Sequence, residues 1–152
     1  MTFRVSDGAP IRRTGGPVYL DWYPVADWAE LGALNAEAVN GRRQPAHDAV
    51  AALSGGGHGE VRARLRGNAT PGAASTARWT AKAAGVSYEE HLAALDEVLD
   101  PGDALWQRQM VLGVAPELCL LSSRPEESGG PGGPGEAVLV SGLATVAAGP
   151  AP

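Results

Sequence analysis

The chain has 152 residues, 12 basic and 17 acidic side chains, a formal net charge of −5 and a hydrophobic fraction of 44%. That length suits one domain, able to bury about 70% of its unfolded surface. The acidic balance argues against a general nucleic-acid binder, which presents a basic face to phosphates, and no run nears the ~18 apolar residues of a membrane span.

The 21 glycines and 12 prolines gather in connections and in one tail segment, so they mark loops more than disorder. Every basic residue except Lys82 is an arginine, the usage of a high-GC bacterial genome. Cys119 is the single cysteine, which leaves no intrachain disulfide framework and fits a reducing compartment. It stands in the apolar run 118–121, where an inert buried thiol is expected. Residues 1–13 lack a hydrophobic signal core, and a cytoplasmic location is expected.

Residues 1–16 alternate weakly at Phe3 and Val5 and then turn polar, forming either a short strand or an N-terminal arm. In 18–25, Val18, Leu20 and Trp22 alternate with Tyr19, Asp21 and Tyr23, the period of a half-buried strand that Pro24 ends. Asp27 and Glu30 have capping-box spacing, and Trp28, Leu31, Leu34 and Ala38 recur at helical spacing. Asn40 and Gly41 predict a left-handed cap. A second helical piece covers 44–53, with Pro45 in its first turn.

Val61, Ala63 and Leu65 alternate with Arg62, Arg64 and Arg66 in a strand over 60–66. Residues 67–75 read as a long hairpin connection into a strand over 76–83, centred on Trp79. Ser87 and Glu90 form a second capping box for a helix over 87–99. Asp100, Pro101, Gly102 and Asp103 make a turn into a strand over 105–112, which 116–122 continues after a bend at Gly113. A Gly/Pro-rich linker at 124–136 leads to a terminal strand and tail at 137–152.

The main domain therefore spans 17–123, and its order is strand, helix, strand, strand, helix, strand. That is the α+β, ferredoxin-like βαββαβ arrangement, an antiparallel sheet with helices on one face. Its other face needs a cover, because an apolar area of several hundred Å2 exceeds what a typical monomer exposes. On this element order the chain resembles the dimeric α/β-barrel superfamily, which includes antibiotic-biosynthesis monooxygenases, stress-responsive barrel proteins, NIPSNAP-like proteins and small polyketide cyclases. The resemblance covers roughly residues 18–112 and brings no diagnostic motif, so no family's catalytic residues transfer. It implies a homodimer with a cavity beside each sheet.

Strand parity supplies the residues that line such a cavity. They are Tyr19, Asp21 and Tyr23 on the first strand, Arg62, Arg64 and Arg66 on the second, and Arg78, Thr80 and Lys82 on the third. On the last strand Gln107 and Gln109 lie on one face, with Trp106 and Arg108 on the other. The same polar residues suit a solvated outer face, where Asp21 pairs with Arg64, and Trp79 and Trp106 equally suit core or interface anchors.

The expected function is a small enzyme with no bound cofactor, a monooxygenase, cyclase or isomerase acting on an aromatic or polyketide-like molecule of bacterial secondary metabolism. In it Asp21 or His47 acts as base, and Arg64 or Arg108 stabilises developing negative charge. Tyr19 and Tyr23 orient the substrate, with Trp79 and Trp106 as further binding residues. The alternative is a non-catalytic dimer that binds a small molecule or a partner protein. His47, His58 and His91 show no metal-ligand spacing, and no metal is expected. The glycine-rich 54–59 segment follows a helix and lacks the Lys-Ser/Thr ending of a phosphate loop, so it reads as a helix terminator.

Overall fold

A computed structural model describes residues 2–5, 17–57, 59–109, 116–124 and 139–145. In chain order the elements are β1 (Thr2–Val5), β2 (Val18–Asp21), α1 (Trp28–Val39), α2 (Gln44–Leu53), β3 (Val61–Gly67), a 3-10 turn (Pro71–Ala73), β4 (Thr76–Thr80), α3 (Tyr88–Asp96), β5 (Asp103–Gln109), β6 (Leu118–Ser122) and β7 (Leu139–Thr145). The fold is α+β, and every strand pairing is antiparallel. A two-strand ladder, β2-β1, and a four-strand ladder, β4-β6-β5-β3, join through β7. His58, the bend at Gly113, the end of the strand predicted to reach 112, and most of the predicted linker and tail lie outside the described residues.

The helix starts form as their residues dictate. The Asp27 carboxylate accepts from the Glu30 amide at 2.8 Å, while Glu30 reaches back to the amide of Ala26, one residue before the expected one. Ser87 and Glu90 complete both halves of their box. α2 has the predicted bounds, and α3 stops three residues short of its predicted end. The predicted left-handed cap at Gly41 is absent. Asn40 closes α1 by donating its amide to the Ala36 carbonyl, and Gly41 is required because a side chain there would meet the Glu37 backbone.

The pairing across the sheet is richer than the predicted strands alone would give. Of the four expected between 17 and 113, only β3 and β5 are neighbours, because β1, β6 and β7 are interleaved with them. Residues 67–75 therefore do not close a hairpin: β6 and β5 stand between β4 and β3, and the 3-10 turn belongs to a connection that spans them. Nor does 116–122 extend the preceding strand. β6 turns back and pairs antiparallel with β5 from Asp103↔Ser122 to Gln107↔Leu118.

Two apolar clusters sandwich this sheet. On the helix face, Leu105, Leu118 and Leu120 pack against Leu92, Leu95 and Leu99 from α3 and its following turn. On the opposite, inner face, Ala77, Trp79, Cys119 and Leu121 meet Phe3 and Val5 of β1, with Val18, Leu20, Trp22 and Trp106 around them. Phe3 is 0% exposed. The apolar sheet face expected to await a second copy is thus covered, over this cluster, by the chain's own N-terminal strand. α1 and α2 pack on each other and bury no side chain.

A buried carboxylate fixes one end of the sheet. Asp103, 0% exposed, accepts from the Asp100 amide and from Arg124 Nη2, both at 3.1 Å. Arg124 also pairs with Asp100, and its carbonyl accepts from the hydroxyls of Ser75 at 2.7 Å and Thr76 at 3.1 Å. Losing Arg124 leaves a carboxylate in a dry site, whereas the half-exposed Arg66–Asp96 pair at 2.9 Å is of the weak surface kind. Arg124→Ala should lower unfolding stability by about 1–3 kcal/mol and Arg66→Ala by less than about 1 kcal/mol, with urea unfolding as the measurement. Equal losses would contradict this division.

Candidate functional site

β3 and β5 place the charged residues that matter most. Their register sets Arg62 opposite Arg108 and Arg64 opposite Trp106, and direct partners in an antiparallel ladder share a face. Trp106 pairs in turn with Cys119, and Cys119 with Trp79. Arg62, Arg64, Trp106 and Arg108 therefore all stand on the inner face. The arginine alternation ends at a register shift between Arg64 and Arg66, after which Arg66 opposes Leu105 and reaches Asp96 on the helix side.

The side chains of Arg62 and Arg108 are each only 9% exposed. One carboxylate bridges them: Glu60 Oε2 lies 2.5 Å from Arg62 Nη2, and its Oε1 lies 3.3 Å from Arg108 Nη1. Burial alone would raise the Glu60 carboxyl, but the two guanidiniums together outweigh it and hold the group below its ordinary range. The Glu117 carbonyl accepts from Arg62 Nη1 at 3.3 Å and from the Arg108 amide at 2.9 Å. Its carboxylate accepts from the Lys82 amide and from the Tyr88 hydroxyl, both at 3.2 Å. Lys82 Nζ donates to the Val86 carbonyl at 2.6 Å and lies 5.5 Å from the Tyr88 ring centre. Burial, then the Glu117 charge, raises the Tyr88 phenol.

Beside this network is an aromatic wall. Trp22 meets Trp106 edge-on, with ring centres 5.1 Å apart at 64°, and Arg64 lies 6.0 Å from the Trp106 centre. The Trp106 Nε1 hydrogen is buried with no partner among the described residues. Cys119, fully buried below, has its thiol pushed up to about 12 by burial, which fits the expected inert role. Four cations (Arg62, Arg64, Lys82, Arg108) and two carboxylates (Glu60, Glu117) give this end of the sheet a positive excess within an acidic chain.

Three of the sequence-derived candidates meet here: Arg64, Trp106 and Arg108. Trp79 stands on the same face but is packed into the Phe3 cluster. Tyr19 and Asp21 project from the opposite side of β2 to Val18 and Leu20, and both are exposed, as is Tyr23 just beyond the strand. Burial, then the Asp21 charge, raises the Tyr23 phenol. Arg64 lies on Trp106, and no ion pair joins it to Asp21 among the described residues. His47 sits on the exposed surface of α2, 3.4 Å from Asp48. Arg78 and Thr80 face the helix side, opposite to Trp79.

Sequence reasoning missed Glu60, Glu117 and Tyr88. Glu60 had a signal, since its spacing of two from Arg62 puts both on one side of an extended chain. Glu117 and Tyr88 had none, because they are brought in by the β5–β6 pairing and by α3. Among the described residues no group of three His, Cys, Asp or Glu side chains could hold a metal ion, and no helix is long and apolar enough to cross a membrane. Comparisons with protein-family models, curated proteins and solved structures found no match for the chain.

Because the Glu60 carboxyl is held low in the folded protein, its contribution to stability is present above the ordinary carboxylate range and lost as pH falls through its folded value. Wild type should be more stable than Glu60→Gln at neutral pH, and the difference should close on acidification. Urea midpoints measured across acidic pH test this, and a gap that stays constant into acid would contradict it.

Proposed function

We propose that the protein binds a small, negatively charged aromatic or polyketide-like molecule on the inner face near Arg62, Arg64, Trp106 and Arg108. The observation that carries this reading is a pair of nearly buried arginines next to an indole wall, in a chain that is otherwise acidic. Buried guanidiniums need an anionic partner, and planar anions suit their forked donors. The Trp106 Nε1 hydrogen offers a further donor to an oxygen of the ligand.

Turnover of that ligand, by monooxygenase, cyclase or isomerase chemistry, is the second reading. The hydrogen bond between Tyr88 and Glu117 favours it, as it sets a phenol proton beside a carboxylate near the cationic end. Asp21 and His47, the bases first expected, are exposed, and neither has a hydrogen bond or ion pair to this cluster among the described residues. The ligand-binding reading needs neither.

The likeness to dimeric α/β-barrel proteins rests on the order of elements along the chain. Within this proposal the homodimer forms through α1 and α2. Helices of this length are marginal without a packed face, and here Trp28, Val50 and Leu53 are exposed, Leu53 at 90%. Arg42 already pairs with Glu37 within the chain at 3.9 Å, so the exposed apolar side chains are what two copies would bury against each other about a two-fold axis.

Titration with salicylate should quench the fluorescence of Trp22 and Trp106 with a salt-sensitive affinity. Arg64→Met and Arg108→Met should each weaken binding about tenfold, equal to about 1.4 kcal/mol, while Arg66→Ala, on the other face, should not. Absence of any response to aromatic acids at millimolar concentration would refute the binding reading. Leu53→Glu should convert a dimer to a monomer in analytical ultracentrifugation, and a wild-type monomer would refute the dimer.

A further inference from the structure

We infer that Glu60 is a resident substitute for the ligand's carboxylate, and that binding proceeds by exchange of one carboxylate for the other between Arg62 and Arg108. The inference rests on the binding reading above and narrows it to ligands that carry a carboxylate. Each Glu60 oxygen serves a different arginine, so the group occupies the bridging position that a planar anion would take.

The two sides of this ion-pair cluster are held very differently. Arg62 and Arg108 are opposite residues of paired strands, and Arg62 has a second anchor in the Glu117 carbonyl. Arg62 therefore keeps an anchor when the carboxylate leaves. Glu60 precedes β3 at the end of a connection that holds Gly55, Gly56, Gly57 and Gly59. A side-chain carbon added at Gly56, Gly57 or Gly59 would touch nothing within 4 Å, so these three glycines border open space. Gly56 has φ +142°, a conformation other residues rarely adopt. The cations are nearly buried on paired strands, while the anion is more exposed and stands before the strand, at the end of a glycine-rich connection.

Exchange also keeps the charges balanced. Withdrawing Glu60 alone would leave two guanidiniums, each 9% exposed, without their anion, which is costly. A ligand carboxylate entering as Glu60 leaves restores the bridge. The resident carboxylate thus lowers apparent affinity by competing for the site, and neutral analogues, unable to replace it, are rejected.

The test uses the full chain, with benzoate and its neutral counterpart benzamide as probes and tryptophan fluorescence as the readout. Glu60→Gln removes the competing charge at nearly constant shape and should bind benzoate at least tenfold more tightly than wild type. Its response to benzamide should be unchanged. Glu60→Asp, whose carboxylate is one methylene short of the bridge, should also bind benzoate more tightly, and it carries the test if the Gln variant does not fold. Benzoate binding to wild type that is unchanged or weakened in both variants would overturn the exchange and leave the binding site standing. If neither wild type nor the variants respond to benzoate or salicylate, the binding reading fails, and the exchange with it.

Discussion

The fold depends on a strand that is buried on both sides. All five residues of β6 are buried, with Leu118 and Leu120 serving the helix-face cluster while Cys119 and Leu121 serve the inner one. A strand covered on both faces loses the alternation of a half-buried strand and reads as a continuous apolar run, as 118–121 does. Because β6 lies between β4 and β5, it sets the register of both neighbours. That register places Trp79 and Trp106 on either side of Cys119. The position of the arginine face thus follows from a strand that carries no charge.

Local signals were legible in the sequence where a few adjacent residues decide the outcome. Ser87 with Glu90, Asp27 near Glu30, and Pro45 in the first turn of α2 each fix a helix start through contacts within four residues. Long-range pairing was not legible in this way. The connection at 67–75 had the composition of a hairpin, yet composition says nothing of the strands that come to lie between its ends. Parity misled for a related reason: counting by twos along Arg62, Arg64 and Arg66 assumes a regular strand, and the bulge sends Arg66 to the other face. At the site, Arg64, Trp106 and Arg108 were found because they alternate on real strands. Glu117 and Tyr88 enter through tertiary pairing and left no trace in spacing.

Electrostatics gives the cluster its character. A chain with an excess of acid has gathered Arg62, Arg64, Lys82 and Arg108 around two carboxylates at one end of its sheet. At the other end, Arg124 and the Asp100 amide share one oxygen of the buried Asp103, and Arg124 ties down the segment that leaves β6. The two arrangements are physically unlike. Asp103 is fully buried and its cation is half-exposed, whereas Glu60 is partly exposed and its cations are nearly buried. The first arrangement holds the fold together, and the second is suited to an incoming anion.

The end strands of the sheet have one more consequence. β3 presents an arginine at every second position up to a bulge, and β2 is four residues long between Pro17 and Pro24. Charge, irregularity and missing amide donors are the features that stop neighbouring molecules from extending a sheet by adding strands. Fibril-like stacking of the folded protein is disfavoured at both margins.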